Sequence, residues 1–340
     1  MIINKIKVLI TDDSLLFRNV LKKELSEDSH IEVVGMAVDP FDAMEKIKIL
    51  KPDILTLDVE MPKMNGLTFL KKLMAENPMK VVLVSSMNIS VFDSLHAGAV
   101  DFVKKPDMSS KDDLPIFFRE LKTKIKVASI AKLVPFTDSK KIETKILEKI
   151  STRKIIAVGA STGGTEAILA ILKELPKEVP GILVTQHMPA GFTKMYAERL
   201  NRICAIEVRE AADGDRIENG LALIAPGDKQ MKLSKDDKGY YVTCRVGEKV
   251  SGHCPSVDVL FNSVAETAGK NSVGIILTGM GKDGAQGLLN MKKAGAYTIG
   301  QDEKSSVVYG MPMVAYNIGA VAVQAPIENI SDILIKYLNK

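Results

Sequence analysis

The chain has 340 residues, which at about 100–200 residues per domain favours two domains. Its fractions of hydrophobic residues (46%) and charged residues (26%) are typical of a globular protein in water. The formal net charge of +4, with acidic and basic residues interspersed, is too weak to indicate nucleic acid or a membrane surface as a partner.

The amino terminus and the apolar runs bear on where the protein resides. The chain enters a strand-like segment at once, without the apolar stretch and small-residue cleavage site of a signal peptide. No apolar run reaches the roughly 18 residues of a membrane span. We therefore expect a cytoplasmic protein without membrane insertion. Its three cysteines form no C-x-x-C pair, and we expect them to be reduced thiols.

The first third of the chain alternates short apolar runs with apolar residues at helical spacing. The runs predict five strands: Val8–Ile10, Ile31–Val34, Ile54–Leu57, Val81–Val84 and Phe102–Val103. The helical spacing predicts five helices: Ser14–Leu25, Phe41–Leu50, Gly66–Met74, Val91–Ala97 and Leu114–Val127. This alternation is typical of a doubly wound α/β domain, a parallel sheet whose ligands bind beyond the carboxyl ends of the strands.

Charged and hydroxyl side chains follow four of these strands. In chain order they are Asp12 and Asp13, Asp58, Ser85, and Lys105. Three carboxylates at one edge of a sheet repel one another unless a cation is present, and oxygen ligands suit Mg²⁺. With that charge offset, one carboxylate can attack a phosphoryl group whose oxygens a lysine and a hydroxyl hold.

This set resembles the response-regulator receiver domain, a five-stranded parallel fold of the flavodoxin type. The resemblance covers the first third of the chain and implies that Asp58 is the phosphoacceptor. It also implies a Mg²⁺ site made by Asp12, Asp13 and Asp58, with the backbone carbonyl of Glu60 completing the ligands.

The same resemblance assigns a phosphorylation switch. Ser85 and Lys105 correspond to the hydroxyl and the lysine that sense the phosphoryl group, and Phe102 corresponds to the aromatic switch residue. Ser86 is a less favoured alternative to Ser85. We predict a receiver domain at residues 1–127, followed by a lysine-rich linker at 128–153 with one short helical piece, Ile142–Ile150.

Residues 154–340 again alternate strand and helix, which predicts a second α/β domain. The expected strands are Ile155–Val158, Gly181–Thr185, Ala205–Val208, Leu221–Ile224, Val273–Leu277 and Tyr297–Gly300. Met231–Leu233 and Tyr240–Thr243 read as an antiparallel hairpin inserted into a mostly parallel sheet. Thr165–Leu175 is expected to be the helix after the first strand, stopped by Pro176.

A serine stands in a glycine-framed turn between that first strand and its helix. Gly159, Ser161 and Gly163 satisfy G-x-S-x-G, a pattern typical of a nucleophile turn but also short enough to occur by chance. A serine nucleophile needs a base and an acid that orients the base. The functional interpretation therefore depends on such partners elsewhere in the chain.

His187 and Asp283 are the favoured partners of Ser161. His187 directly follows a predicted strand, and Asp283 lies in a glycine-rich loop after another, so both belong at the sheet edge that carries the serine. His253 also remains open as the base. The glycines at 279–281 suit an oxyanion hole, and G-x-x-x-x-G-K-[ST] is absent, which disfavours a phosphate-binding loop. The order Ser, His, Asp differs from that of α/β-hydrolases.

Several motifs of this second half resemble the CheB family of chemotaxis methylesterases: residues 159–164, 186–192, 225–228, 255–261 and 278–285. The resemblance implies Ser161 as nucleophile, His187 as base and Asp283 as orienting acid. It further implies that Thr162 and the Met280 N–H stabilise the oxyanion. Gln230 departs from the family pattern A-P-G-D-x-H-M, in which histidine is expected.

The resemblance implies hydrolysis of glutamate γ-methyl esters on chemoreceptors, releasing methanol, with deamidation of receptor glutamines as a further family activity. It implies a chemotaxis histidine kinase as phosphodonor, Mg²⁺ in the receiver and no cofactor for the esterase, and we expect a monomer that binds no nucleic acid. Two alternatives stay open. One is a serine hydrolase of small esters, amides or peptides; the other is an inactive, phosphorylation-dependent binding module.

Overall fold

The computed structural model describes residues 5–61, 64–86, 90–107, 110, 113–133 and 154–339. The chain divides into two compact units, one on either side of residue 136. The predicted helical piece at 142–150 and most of the predicted linker lie outside the described residues. In the described ranges, no helix combines the length and the apolar character that crossing a membrane requires.

The amino-terminal unit is a parallel sheet with helices between its strands. Its described strands are β1 (Ile6–Thr11), β2 (Ile31–Ala37), β3 (Ile54–Asp58), β4 (Lys80–Ser85) and β5 (Asp101–Lys104). They pair in the order β2-β1-β3-β4-β5, every pair parallel. The helices are α1 (Leu15–Ser26), α2 (Pro40–Leu50), α3 (Gly66–Glu76), α4 (Ser90–His96) and α5 (Asp113–Ile130). The predicted five-stranded α/β class is confirmed.

Capping side chains fix where two of these helices begin. The Ser14 hydroxyl accepts from the Phe17 N–H at 3.3 Å before α1, and the Asn65 side chain accepts from the Thr68 N–H at 2.8 Å before α3. Such oxygens satisfy N–H groups that have no acceptor within the helix. Because Ser14 starts α1, Asp12 stays in the loop at the end of β1. The acidic side chains of Asp12 and Asp13 therefore lie in the loop between β1 and α1.

The second unit contains a larger sheet and a separate hairpin. Its described strands are β6 (Ile155–Ala160), β7 (Ile182–Gln186), β8 (Glu207–Glu210), β9 (Leu221–Ile224), β10 (Gln230–Asp236), β11 (Gly239–Arg245), β12 (Ser272–Ile276), β13 (Tyr297–Gln301) and β14 (Val323–Ala325). The sheet order is β14-β13-β12-β6-β7-β9-β8, with parallel pairing throughout these described strands. Strands β10 and β11 form the antiparallel hairpin. The predicted mostly parallel sheet with a hairpin is confirmed.

Six described helices surround this sheet: α6 (Gly164–Leu172), α7 (Phe192–Ile203), α8 (Val257–Thr267), α9 (Ala285–Lys293), α10 (Met311–Asn317) and α11 (Ile327–Leu338). Helix α6 ends before the predicted Leu175, because the chain tightens ahead of Pro176 into a turn in which Leu175 N–H donates to the Leu172 carbonyl at 3.2 Å. Strand β8 begins two positions after its prediction, and β14, a partly exposed three-residue edge strand, was not predicted.

Strand β6 lies in the centre of the sheet, between β7 and β12. The chain leaves β6 toward β7 and β9, then returns to β12 on the opposite side of β6. The loops after β6 and β12 therefore separate at a topological switch point, where open parallel sheets form their ligand crevice. All residues of β6, β7 and β12 are buried, so the strands that carry this crevice are core elements.

Candidate functional site

Ser161 lies in the turn between β6 and α6, at the centre of the larger sheet. Its N–H donates to the Thr278 carbonyl at 3.0 Å. Its carbonyl accepts from the Gly164 N–H at 2.7 Å and from Gln186 Nε2 at 2.9 Å. The end of β7 and the loop after β12 thus hold the serine backbone, and the residue itself is half-buried. The turn presents a hydroxyl on a rigid backbone.

Gly163 gives this turn its shape. Its φ of +77° is left-handed, a conformation that glycine adopts without steric cost. A Cβ at this position would also stand 2.6 Å from the Val307 side chain. Ser161 is not among the described non-glycine residues of positive φ, so the backbone strain of a nucleophile elbow is absent from the serine itself.

Thr278 connects the serine turn to a second loop. Its side chain is fully buried, and its hydroxyl lies 3.0 Å from the Thr162 carbonyl and accepts from the Val308 N–H at 2.9 Å. From the sequence, Thr278 is only the first residue of the glycine-rich loop. A short polar side chain that follows a strand was the signal that could have found it.

His187 and Asp283 form a buried pair. His187 directly follows β7, and its Nε2 lies 2.7 Å from Asp283 Oδ2, with side-chain exposures of 7% and 2%. The other ring nitrogen, Nδ1, is buried and has no hydrogen-bond partner in the described part of the chain. Because the carboxylate can only accept, the neutral ring carries its proton on Nε2 and its lone pair on Nδ1. Nδ1 is therefore the atom of His187 that can act as a base.

The Asp283 carboxylate also caps helix α8. It accepts from the Ser256 hydroxyl and the Val257 N–H at 2.8 Å each, and from the Asp258 N–H at 3.1 Å. Burial acts to raise the pKa of Asp283, but the hydrogen bond and charge of His187, with the bonds from Ser256 and Val257, outweigh it and lower that pKa to about 2. The carboxylate stays ionised beside the imidazole.

The three predicted catalytic residues follow the adjacent strands β6, β7 and β12. The His187 N–H donates to the Ala160 carbonyl at 3.2 Å, which ties the histidine to the strand that carries Ser161. No hydrogen bond joins His187 Nδ1 to the serine. Nucleophile and base often lie beyond bonding distance without substrate. The triad therefore stays a prediction, in which the pairing of His187 with Asp283 is direct.

The glycine-rich loop lies against the serine. A Cβ on Gly279 would come within 2.6 Å of the Ser161 Cβ, so only glycine allows this approach. The Gly279 N–H donates to the Val308 carbonyl at 3.0 Å, whereas the Met280 N–H has no acceptor within the described residues. Thr162, the other predicted oxyanion residue, is buried beside Ser161. The loop thus offers a backbone donor close to the serine.

His253 does not replace His187 but stacks on it. The two rings are 3.6 Å apart between centroids, at an interplanar angle of 7°. Gln230 is buried, and its side chain bonds to the loop that carries His253. Neither role followed from the sequence. The role of Ser256 was also missed, although its place before the α8 helix made it a capping candidate.

The first unit gathers its own polar cluster where β1, β3 and β5 end. Lys105 Nζ lies 2.8 Å from Asp12 Oδ2 and 2.7 Å from Asp58 Oδ2. Carboxylate oxygens of Asp12, Asp13 and Asp58 all lie within 4.8 Å of one another, close enough to share one cation. The Glu60 N–H donates to Asp58 Oδ1 at 2.9 Å, so the backbone of Glu60 borders the cluster. These donors fit a Mg²⁺ ion.

Asp58 and Ser85 have the features of a phosphoryl site. Burial raises the pKa of Asp58 to about 6, although the hydrogen bond and charge of Lys105 and the bond from Glu60 act to lower it. The Ser85 hydroxyl is buried and has no hydrogen-bond partner among the residues that the structure describes, and the Ser85 carbonyl accepts from the Lys105 N–H at 2.8 Å. Phe102, the predicted switch residue, is buried with its ring 6.3 Å from that of Phe92.

Comparison with known proteins finds both halves of the chain in described families. Residues 156–334 match the CheB methylesterase family model, and residues 8–114 match the response regulator receiver domain. A protein-glutamate methylesterase/protein-glutamine glutaminase of Syntrophomonas wolfei is 54% identical over 338 residues, covering 99% of each chain. A relative of the same name from Sulfurimonas denitrificans is 49% identical and covers 96% of each chain.

A solved structure resembles the second unit. The crystal structure of the Thermotoga maritima CheB methylesterase catalytic domain aligns with a TM-score of 0.53 at 36% sequence identity. It covers 54% of this chain and 98% of that one. The architecture predicted for this half thus has a solved counterpart.

Proposed function

The chain belongs to the CheB methylesterase family, with a receiver domain ahead of the esterase domain, and from this membership we propose that it hydrolyses glutamate γ-methyl esters of chemoreceptors. Because its relatives are named protein-glutamine glutaminases as well as methylesterases, the proposal extends to deamidation of receptor glutamines. The observation that carries the proposal is the buried His187–Asp283 pair, whose unpartnered Nδ1 belongs to the same crevice as Ser161.

In the proposed reaction Ser161 Oγ attacks the ester carbonyl while His187 Nδ1 takes the hydroxyl proton. The imidazolium returns this proton to the departing methoxide, and methanol leaves as the acyl-enzyme forms. Water then attacks the acyl carbon, with Nδ1 again as base, and releases glutamate and free Ser161. Asp283 holds the ring by Nε2 in both steps and stabilises its charged form.

The proposed oxyanion hole consists of the Met280 N–H, assisted by Thr162. Within the described residues the Met280 N–H has no acceptor, and this supports the role, since a preorganised donor needs no reorganisation when charge develops. A receptor glutamine would follow the same route with ammonia as the leaving group.

We propose that residues 1–127 regulate this activity through phosphorylation of Asp58. An Asp58 oxygen forms the bond to phosphorus as the bond to the phosphodonor breaks, and Lys105 and Ser85 hold the phosphoryl oxygens. Mg²⁺ bound by the three carboxylates and the Glu60 carbonyl would offset the negative charge there. A chemotaxis histidine kinase is the proposed phosphodonor.

The receiver is proposed to inhibit the esterase until it is phosphorylated. A phosphoryl group adds about −1.5 to −2 charges at neutral pH, enough to reorganise Ser85 and Phe102 and change how the receiver packs. Because the proposed substrate glutamates lie on the cytoplasmic helices of receptors, the proposed location is the cytoplasm. The proposed working form is a monomer that binds no nucleic acid. In it, a linker at 128–153 joins the receiver domain to the esterase domain at 154–340.

The test is methanol release from methylated chemoreceptor membranes, with and without a small-molecule phosphodonor. The parent protein should release methanol, more so with the phosphodonor, and Ser161→Ala should release none while keeping its thermal stability. A parent that releases no methanol in either condition would refute the esterase function. Hydrolysis of soluble esters alone would favour a different serine hydrolase. No turnover of any ester would favour a binding module.

A further inference from the structure

The ring of His253 covers one face of the His187 ring. At 3.6 Å between centroids and 7° between planes, the two imidazoles are in full face-to-face contact. Asp283 holds the edge of His187 at Nε2. Rotation of His187 about its Cβ–Cγ bond would drive the ring edge into the plane of His253. One hydrogen bond and one flat contact together fix both the position and the tilt of the imidazole.

The loop that carries His253 is itself held in place. The His253 N–H donates to the Val250 carbonyl at 2.9 Å, and the Val250 N–H donates back to the His253 carbonyl at 3.0 Å. That carbonyl also accepts from Gln230 Nε2 at 3.2 Å. The Asp228 N–H donates to the Cys254 carbonyl at 3.3 Å. The stacked ring therefore stands on a backbone that is anchored on both sides.

Gln230 joins three points of this loop with one amide. Nε2 donates to the Glu248 carbonyl at 3.0 Å as well as to His253, and Oε1 accepts from the Ser256 N–H at 2.8 Å. An amide offers two donors and an acceptor, whereas a neutral histidine offers one of each. The histidine expected from the family pattern could not make all three bonds. The glutamine in this chain is matched to its loop.

These contacts connect Gln230 and the His253 loop to His187 through one continuous hydrogen-bond network. Ser256, whose backbone Gln230 holds, donates its hydroxyl to Asp283, and Asp283 in turn binds His187. We propose that His253 is a positioning residue of the esterase reaction, keeping His187 Nδ1 directed at Ser161, and that Gln230 sets the position of His253. This inference rests on the proposed function, and it concerns the ring of His253 and not its titration.

The test compares one substitution of His253 that keeps a flat ring with two that remove the ring. His253→Phe keeps a flat ring and should retain kcat for methanol release within about threefold. His253→Leu and His253→Ala remove it and should lower kcat by roughly 10²-fold with KM unchanged, the order of loss expected from a misplaced catalytic group. Wild-type kcat in all three, equal losses in all three, or a change confined to KM would each overturn the proposal.

A second measurement is independent of turnover. The chain has four histidines, so ring resonances can be assigned by single substitution in ¹⁵N- and ¹³C-labelled protein. The His187 ring protons should show the upfield ring-current shift of a stacked ring in the parent and in His253→Phe, and lose it in His253→Ala. A His187 shift that does not respond to His253→Ala would overturn the stacking. If the parent lacks esterase activity but shows the shift, only the proposed function fails.

Gln230 is tested with a residue of similar length. Gln230→Met removes the three hydrogen bonds and should lower kcat and weaken the ring-current shift of His187, as His253→Ala does. Gln324→Met, at an exposed position of the edge strand β14, is the matched control and should leave both unchanged. A Gln230→Met enzyme with parental kcat and shift would remove Gln230 from the proposal.

Discussion

At the scale of single residues, Asp283 serves both the fold and the chemistry. The same carboxylate orients His187 and accepts the N–H groups of Val257 and Asp258 at the start of α8. Any change at this position therefore acts on catalysis and on stability together. Both effects depend on the ionised carboxylate: catalysis through its charge beside the imidazole, and stability through the hydrogen bonds it accepts from His187, Ser256, Val257 and Asp258.

Asp283→Asn should lower kcat by roughly 10⁴-fold, because an amide neither selects the Nε2–H tautomer of His187 nor stabilises its charged form. Methanol release under saturating substrate measures the loss. Asp237→Asn, in the exposed turn of the hairpin, is the control and should have parental activity. A loss smaller than about tenfold would contradict the role of Asp283 as the orienting acid.

The depressed pKa of Asp283 predicts an acid-labile contribution to stability. The pKa is about 2 in the folded protein against an ordinary 3.8, so the ionised form stabilises the fold by about 2 kcal/mol. This contribution is complete above about pH 4 and is lost as the pH falls toward 2, because the unfolded carboxyl takes up its proton first.

Denaturant unfolding of the parent and Asp283→Asn between pH 6 and pH 3 measures that contribution. The difference in unfolding free energy should be largest above about pH 4 and should narrow below it. The difference between the parent and Asp237→Asn should not vary in this way. A constant difference for Asp283→Asn across the range would show that its charge does not stabilise the fold.

At the scale of elements, the turn between β6 and α6 depends on its left-handed glycine. Gly163→Ala should destabilise the protein by about 1–2 kcal/mol from the positive φ alone. Crowding against Val307 should then displace Ser161 and lower kcat by roughly 10²-fold. Thermal unfolding and methanol release measure the two effects.

Gly214→Ala is the matched control for this turn. Gly214 has a φ of +88°, and a Cβ there would meet no atom within 4 Å. It should carry a similar strain with no effect on kcat. If Gly163→Ala retains parental kcat, the serine turn does not depend on the space beside Val307.

At the scale of the whole molecule, the two units repeat one design. Each carries its polar cluster at the carboxyl edge of a parallel sheet, at the topological switch point. This point lies between β1 and β3 in the first unit and between β6 and β12 in the second. In the first the cluster is anionic and suits a phosphoryl group with Mg²⁺; in the second it suits acyl transfer. The proposed regulation requires that a covalent change at Asp58 alter access to Ser161.

Deleting residues 1 to about 130 should raise the methanol release seen without a phosphodonor. A coupling free energy of about 1–3 kcal/mol would correspond to an increase of about 5- to 150-fold. The similar catalytic domain of Thermotoga maritima CheB was crystallised as a separate chain. Unchanged or lower activity would argue for a receiver that only activates.

Asp58→Asn should abolish the stimulation by a phosphodonor and leave the basal rate unchanged, because the amide cannot form the acyl phosphate. Methanol release from receptor membranes with and without the phosphodonor measures this. Stimulation that persists in Asp58→Asn would show that another group accepts the phosphoryl.

Features that depend on neighbours along the chain could be predicted without the structure. Alternating periodicity predicted both parallel sheets, because burial between helical layers imposes it on each strand separately. The rule that strand ends meet at one edge then selected Ser161, His187 and Asp283 as candidates. The edge strand β14 was not predicted because its three residues, of which one is buried, are too few to form a periodic pattern.

How those candidates contact one another depends on the folded arrangement of the loops. The choice of Nε2 for Asp283, the donation by Ser256, the stacking of His253 and the three bonds of Gln230 all join residues that are distant in sequence. Such contacts leave no periodic trace, because each depends on where two separately formed loops come together in the folded chain. Residue types therefore predict the chemistry of the site, whereas its geometry is known only from the folded structure.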